Sequence, residues 1–264
     1  MKLREIFHSE ETRDLLSHNG FGSFELLWKV DGQFIEEPNY ERGGWSGTIL
    51  HEIRLQNGQP LKTIIKRQEN HTHKSLMHPV RGAPTLFREY SNICRLEKFG
   101  IPTLEPLYFG ERREGGKIQA VLVIRFLEEY RNLDVVLNEA DKNEVCVQNS
   151  IIDSVAGMIA RVHSHRLQHS CLYGKHVFVK TAKGEPPDTR LIDLEKMHSG
   201  FSSFSVAVHD LGALFRHSRW PGDSWRLFLQ SYLSKAGLES KGQRLFRALD
   251  KKVGNKISKR HIYS

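Results

Sequence analysis

A thiol, two imidazoles and a carboxylate stand in this chain at spacings that suit charge-dominated chemistry. In the run His169-Ser170-Cys171-Leu172-Tyr173-Gly174-Lys175-His176, one imidazole precedes the thiol by two residues and a second follows it by five. Further on, Leu191-Ile192-Asp193-Leu194-Glu195 sets a carboxylate in an apolar stretch. Phosphoryl transfer needs a held triphosphate, cations or metal to neutralise its oxygens, and an aligned acceptor, because its transition state is loose. Asp193 suits the metal role, since a carboxylate in apolar surroundings is costly unless metal or hydrogen bonds satisfy it. A buried Asp that accepts backbone hydrogen bonds is the competing reading.

The other members of the set are less uniform. His176 offers nitrogen where Mg²⁺ prefers oxygen, so it is expected either to orient phosphate or to bind a softer divalent ion. His169 is expected to brace the loop by hydrogen bonding, with Asp210 of His209-Asp210-Leu211-Gly212 as its partner. At Cys171 a thiol occupies the place of a base, and thiols, with a reference pKa of about 8.5, serve that purpose at pH 7 less well than carboxylates. A small buried cysteine without a chemical role is the plain alternative. Upstream, Arg42-Gly43-Gly44-Trp45-Ser46-Gly47 offers small residues that let backbone N–H groups approach phosphate, or else simply an ordinary hairpin turn. Lys66 follows the apolar Thr63-Ile64-Ile65, and Glu89 in the next helix is placed to hold its ammonium against a nucleotide. His163, His165, His169 and His176 do not make a zinc motif, because 163 and 165 diverge on a helix and no Glu lies between 165 and 169. Lys251, Lys252, Lys256, Lys259, Arg260 and His261 form a basic tail that suits a solvated helix face or an anionic lipid surface.

These residues need elements to position them. Apolar runs over Trp45–Leu55 and Leu61–Ile65, split by the turn signal Gln56-Asn57-Gly58-Gln59-Pro60, predict successive antiparallel strands. Leu86, Tyr90, Ile93 and Leu96 recur at helical spacing over Thr85–Phe99, with Gly100 and Pro102 as stops. Ala120–Ile124 reads as a buried strand, and the more polar Phe126–Tyr130 as a hinge between two lobes. Val147–Leu167, Val206–Phe215 and Trp225–Leu238 read as helices. A strand-rich beginning with one helix, followed by a helix-rich remainder, predicts an α+β chain of two lobes, 1–125 and 126–264.

Bulk properties set limits. A length of 264 residues, 39% hydrophobic, supports a sizeable core, and a formal charge of +8 favours an anionic partner. Cys94, Cys146 and Cys171 lack any paired spacing, which fits a reducing cytoplasm rather than a disulfide framework. Neither a signal peptide nor an apolar run of membrane-spanning length is read, so contact with a membrane is expected to be peripheral. Basic and aromatic residues do not interleave as nucleic-acid binding requires, so no specific nucleic acid is expected.

In protein kinases a His-x-Asp turn is followed, five residues after the Asp, by a metal-binding Asn and then by a strand bearing the metal-binding Asp. Here Cys171 stands for the first Asp, His176 for the Asn and Asp193 for the second Asp. With Arg42 to Ser46, Lys66, Glu89 and His209-Asp210-Leu211, the set resembles the lipopolysaccharide kinase family of Kdo kinases, heptose kinases and InaA-like proteins over about Gly43 to Leu214. The string Cys-Leu-Tyr-x-Lys-His looks like its InaA-type branch. The resemblance implies a bilobal protein-kinase-like fold, with a small β-rich N-lobe carrying one main helix and a larger helical C-lobe. It implies ATP and Mg²⁺ as cofactors, with Gly43, Gly44, Ser46, Gly47, Lys66 and Glu89 toward the nucleotide, Asp193 and His176 toward metal, and His169, Cys171 and Asp193 in catalysis. The implied acceptor is a hydroxyl of an anionic saccharide or lipopolysaccharide core precursor, at the cytoplasmic face of an inner membrane. Family heptose kinases carry an Asp where Cys171 stands, so a pseudokinase that binds nucleotide without transferring phosphate is the rival reading.

Overall fold

The computed structural model describes residues 1–41, 43–75, 78–139, 145–218 and 220–254, with backbone alone at 74, 75 and 78–81. Arg42 and the tail residues Lys256, Lys259, Arg260 and His261 therefore lie outside the described residues. The chain divides into two compact units, Met1–Cys94 with Leu104–Glu128, and Arg95–Thr103 with Glu129–Ser264.

The first unit is built on a sheet. In chain order it runs β1 (Lys2–Phe7), α1 (Glu10–His18), α2 (Phe24–Trp28), β2 (Trp45–Arg54), β3 (Pro60–Glu69), β4 (Thr72–Ser75), β5 (His78–Pro84), α3 (Thr85–Lys98), β6 (Pro106–Glu114) and β7 (Lys117–Arg125). The last turn of α3 falls in the second unit. Five strands pair antiparallel in the order β1-β6-β7-β3-β2. Because β7 is central, Ala120 to Ile124 are buried on both faces, which explains the unbroken apolar run. Strand β3 instead alternates: Thr63 and Ile65 are buried, with Ile65 in a core of Leu16, Phe24, Leu27, Ile53, Tyr108 and Val123. Alternation turns Lys66 and Gln68 to the opposite face. Lys66 lies inside this strand, paired with Thr48 and Leu122, rather than at its end as the apolar run suggested.

The second unit is mainly helical. It contains β8 (Arg131–Asn132), α4 (Leu133–Glu139), α5 (Val145–Ser164), β9 (Leu167–Gln168), β10 (Val177–Lys180), β11 (Asp188–Leu191), β12 (His198–Ser199), α6 (Ser203–His217), α7 (Gly222–Lys235) and α8 (Gly242–Lys252). Single 3-10 turns occupy Gly174–His176 and Leu194–Lys196. Helix α5 buries Ile151, Val155, Met158, Ile159 and Val162 and packs on α7, which buries Trp225, Phe228 and Tyr232. Helix α6 starts at a reciprocal cap in which Ser202 and Ser205 bond each other's backbone N–H. Two short ladders, β11-β10-β8 and β12-β9, hold the connecting segments. The strand expected to carry Asp193 ends two residues earlier, at Leu191. Asp193 occupies a left-handed turn instead, with φ 58° and ψ 56°.

Candidate active site

In the first unit the central feature is an ion pair. Lys66 Nζ on β3 lies 2.6 Å from Glu89 Oε1 on α3, and the carboxylate side chain is only 4% exposed. What positions Glu89 is the buried Gln68, two residues along the same strand face from Lys66. Its Oε1 accepts from the Leu86 N–H at 3.0 Å and the Thr85 hydroxyl at 3.1 Å, and its Nε2 donates to the His71 carbonyl. A strand side chain thus satisfies an orphan donor at the start of α3, and Glu89 falls one turn in, over Lys66. Nothing in the sequence singled out Gln68, which reads there as an ordinary polar residue near a strand end.

The glycine segment is bound up with packing. A side chain at Gly44 would meet the Glu69 carbonyl at 2.0 Å, and one at Gly47 would meet the Phe34 ring at 2.3 Å. The Gly44 N–H donates to the Glu41 carbonyl and the Ser46 N–H to that of Asn39. Gly43, at φ +78°, is open, with nothing near its missing side chain.

In the second unit the loop is braced from beneath by Asp210. This fully buried carboxylate on α6 accepts from the His169 N–H at 2.6 Å and the Ser170 N–H at 3.0 Å. His209 Nδ1 lies 3.1 Å and His163 Nε2 3.4 Å from its oxygens. Burial alone would raise this carboxyl, but the adjacent His163 and the hydrogen bonds from His209 and the His169 amide hold it well below the usual carboxylate range. His169 is itself buried, and that burial lowers its pKa against the pull of Asp210, so its ring is neutral. Its Nε2–H donates to the Ile192 carbonyl at 2.9 Å, while the Ile192 N–H donates to the His176 carbonyl at 3.1 Å. Ile192 is therefore clamped on both sides, which presents Asp193 in its strained conformation. For a non-glycine residue that conformation costs about 1–2 kcal/mol, and such strain gathers at functional sites.

His176 adds a second donor beside Asp193. Its Nδ1 lies 2.8 Å from the Cys171 carbonyl, and a carbonyl only accepts, so Nδ1 carries the proton. In the neutral ring Nε2 then holds a lone pair, and it lies 3.5 Å from Asp193 Oδ2. This orientation by a backbone carbonyl is the usual support of a metal-binding imidazole. The pair fits a divalent cation, and the mixed nitrogen and oxygen donors suit Mn²⁺ at least as well as Mg²⁺.

Cys171 is half-buried, and burial together with its thiol raises the Tyr173 phenol. The remaining histidines have structural employment. His163 Nδ1 meets the Tyr232 hydroxyl at 2.9 Å, and His165 stacks on Phe99 with ring centroids 3.9 Å apart. Among the described residues these imidazoles form no metal-ligand cluster. The part of the basic tail that is described, Lys251 and Lys252, ends α8, where Lys252 lies along Gly212.

A β-sheet unit with a Lys–Glu pair and a helical unit with a braced His loop and a following Asp define the protein-kinase-like class. The chain belongs to the lipopolysaccharide kinase (Kdo/WaaP) family, whose pattern matches residues 25–232. It is 29% identical over 204 residues to Protein InaA of Escherichia coli (strain K12), covering 75% of this chain and 88% of that protein. The solved structure of WaaP in complex with acyl carrier protein superposes with a TM-score of 0.65 at 18% identity, covering 99% of this chain and 100% of that one. The α+β, kinase-like fold expected from the sequence is thus present.

Proposed function

We propose that this chain transfers the γ-phosphate of ATP to a hydroxyl of an anionic saccharide of the lipopolysaccharide core type. The observation that carries this reading is the Lys66–Glu89 pair at 2.6 Å, in which a 4% exposed carboxylate is spent on holding one ammonium. Such a carboxylate on a plain surface pair would contribute little. Lys66, fixed by Glu89, meets phosphate oxygens, with the open backbone at Gly43 beside them. Asp193 and His176 hold the divalent ion, which supplies neutralisation of phosphate charge when bound. His169 and Asp210 keep the loop in shape, and Cys171 stands beside the acceptor hydroxyl.

The loose transition state makes proton removal from the acceptor a late and partial requirement, so a thiol in place of a carboxylate slows transfer without abolishing it. The half-burial of Cys171 favours a second reading, in which the thiol is structural and the chain binds nucleotide without turnover. One experiment separates them: Mg²⁺- or Mn²⁺-dependent ATP consumption with a panel of core oligosaccharides. Acceptor-stimulated turnover that disappears in Asp193→Ala and rises in Cys171→Asp supports the enzyme. Nucleotide-induced thermal stabilisation with no turnover in any variant supports the scaffold.

A further inference from the structure

The end of β1 and the C-terminal part of α3 bring together three side chains that phosphotransfer does not use. His8 follows β1 directly, and its N–H donates to the Leu107 carbonyl at 3.1 Å, which fixes where its ring starts from. On α3, Ile93 and Leu96 are fully buried, and Cys94 and Glu97, each one residue further along, share the border where that face meets solvent. The helix is unbroken from Thr85 to Lys98, so Cys94 and Glu97 keep the spacing of one turn. An imidazole nitrogen of His8, the Cys94 sulfur and a Glu97 carboxylate oxygen lie within 4.8 Å of one another.

Imidazole nitrogen, thiolate sulfur and carboxylate oxygen are the three donor types of protein zinc sites. Around a tetrahedral Zn²⁺, with metal–ligand bonds of about 2.0–2.3 Å, donor atoms stand about 3.3–3.5 Å apart. Closing to that separation from within 4.8 Å takes only small side-chain rotations. His8 and Glu97 are exposed and Cys94 is half-buried, so those rotations disturb no core packing and leave a fourth position open to water. The sulfur decides which ion fits. Thiolate is a soft ligand that selects Zn²⁺, whereas Mg²⁺ and Mn²⁺ take carboxylate oxygen as at Asp193.

We infer that His8, Cys94 and Glu97 form a site for a thiophilic divalent cation of the Zn²⁺ class, which fastens the sheet's edge strand β1 to α3. The site does not rest on the proposed phosphotransfer, and its chemistry differs from that of the Asp193 and His176 pair.

Co²⁺ serves as a spectroscopic stand-in for Zn²⁺. Full-length protein titrated with Co²⁺ is expected to develop a thiolate-to-metal charge-transfer band that saturates at about one equivalent, is lost on adding Zn²⁺ and survives about a hundredfold excess of Mg²⁺. Cys94→Ser abolishes the band, whereas Cys146→Ser, Cys171→Ser and Asp193→Ala retain it. His8→Gln and Glu97→Gln alter exposed side chains and leave the thiol in place, so they carry the test if Cys94→Ser does not fold. Each should weaken Zn²⁺ binding in calorimetry by about a hundredfold or more, since losing a group that merely orients a metal ligand already costs about 10–100-fold. Absence of the band in the wild type, its survival in Cys94→Ser, its loss with Cys146 or Cys171, or a Zn²⁺ affinity unmoved by His8→Gln or by Glu97→Gln overturns the site.

Discussion

His176 is the residue at which the proposed metal site departs furthest from all-oxygen ligation. Its Nδ1–H donates to the Cys171 carbonyl at 2.8 Å, so in the neutral ring the nitrogen toward Asp193 is a lone-pair donor. Imidazole suits Mn²⁺ and later divalent ions better than Mg²⁺. The wild type is therefore expected to be stabilised thermally by Mn²⁺ at lower concentration than by Mg²⁺, and His176→Asn to reduce that preference by about tenfold or more. Equal preference in the two proteins, read by Mn²⁺ EPR titration or thermal shift, sinks the idea. His169 makes a different prediction. Its folded pKa is depressed by burial, so the stability gained by keeping it neutral is complete above its unfolded value of about 6.5 and is lost as pH falls below that. The loss approaches about 1.4 kcal/mol per pH unit. Asp210, whose folded pKa is also lowered, holds its contribution down to the unfolded carboxylate value of about 3.9 and loses it only below that. Between pH 7 and 5 the histidine thus governs, and His169→Gln should flatten the decline of the thermal midpoint over that window; parallel curves for the two proteins refute this. Removing Asp210 is a harsher change. Asp210→Ala strips the acceptor from the buried His169 amide and from the Ser170 amide, at an expected cost of about 3–5 kcal/mol in denaturant unfolding. A variant within 1 kcal/mol of wild type would mean that the loop finds other partners.

At the scale of elements, the decisive joint is the strand-to-helix link in the first unit. Gln68 ties β3 to the start of α3 through the Leu86 amide, the Thr85 hydroxyl and the His71 carbonyl. Gln68→Ala leaves these groups buried without their partner, an expected loss of about 1–3 kcal/mol. Since Glu89 is placed by the same helix, the variant should also lose nucleotide-induced thermal stabilisation; a stability loss with nucleotide response intact would separate the two roles. This joint also shows what the sequence made legible. The long apolar face of α5 followed from a strong local signal, whereas the Lys66–Glu89 pairing was legible only through the downstream His169 to Asp193 motifs, because a strand-end lysine and a helix-surface glutamate look ordinary by themselves. The brace from Asp210 to the His169 loop was legible through the spacing of His209-Asp210-Leu211. Gln68 was not, because its importance comes from three partners that only folding brings together. Nor was the end of β11 before Asp193 visible: an apolar Leu-Ile-Asp-Leu run reads as strand, and the clamp on Ile192 by His169 and the His176 carbonyl turns the chain instead. The glycines at 44 and 47 suggested a phosphate cradle by composition alone, whereas contacts with the Glu69 carbonyl and the Phe34 ring already require them.

For the molecule as a whole, the governing quantity is charge. A formal excess of +8 attracts anionic partners over distances set by the Debye length, about 10 Å at 0.1 M salt. No helix among the described residues is long and apolar enough to cross a membrane, so any lipid association of those residues rests on their surface. Surface attraction of basic side chains to acidic lipid is worth about 1 kcal/mol per Lys or Arg and decays within a Debye length. Binding to vesicles containing phosphatidylglycerol is therefore expected at about 0.05 M salt and should fall steeply by about 0.5 M, where the screening length has shrunk to a few Å. Zwitterionic phosphatidylcholine vesicles should not retain the protein at either concentration. Co-sedimentation measures both, and truncation after Gly254 removes Lys256, Lys259 and Arg260 and so asks how much of the attraction the tail supplies. Association that ignores salt, or that is equal on neutral vesicles, would point to inserted apolar surface such as the exposed Phe201 rather than to charge. The same salt series on an acceptor assay carries the argument to catalysis: KM for an anionic saccharide should rise with ionic strength while kcat holds, because screening weakens the attraction that brings the acceptor in and leaves the residues around Asp193 unaltered.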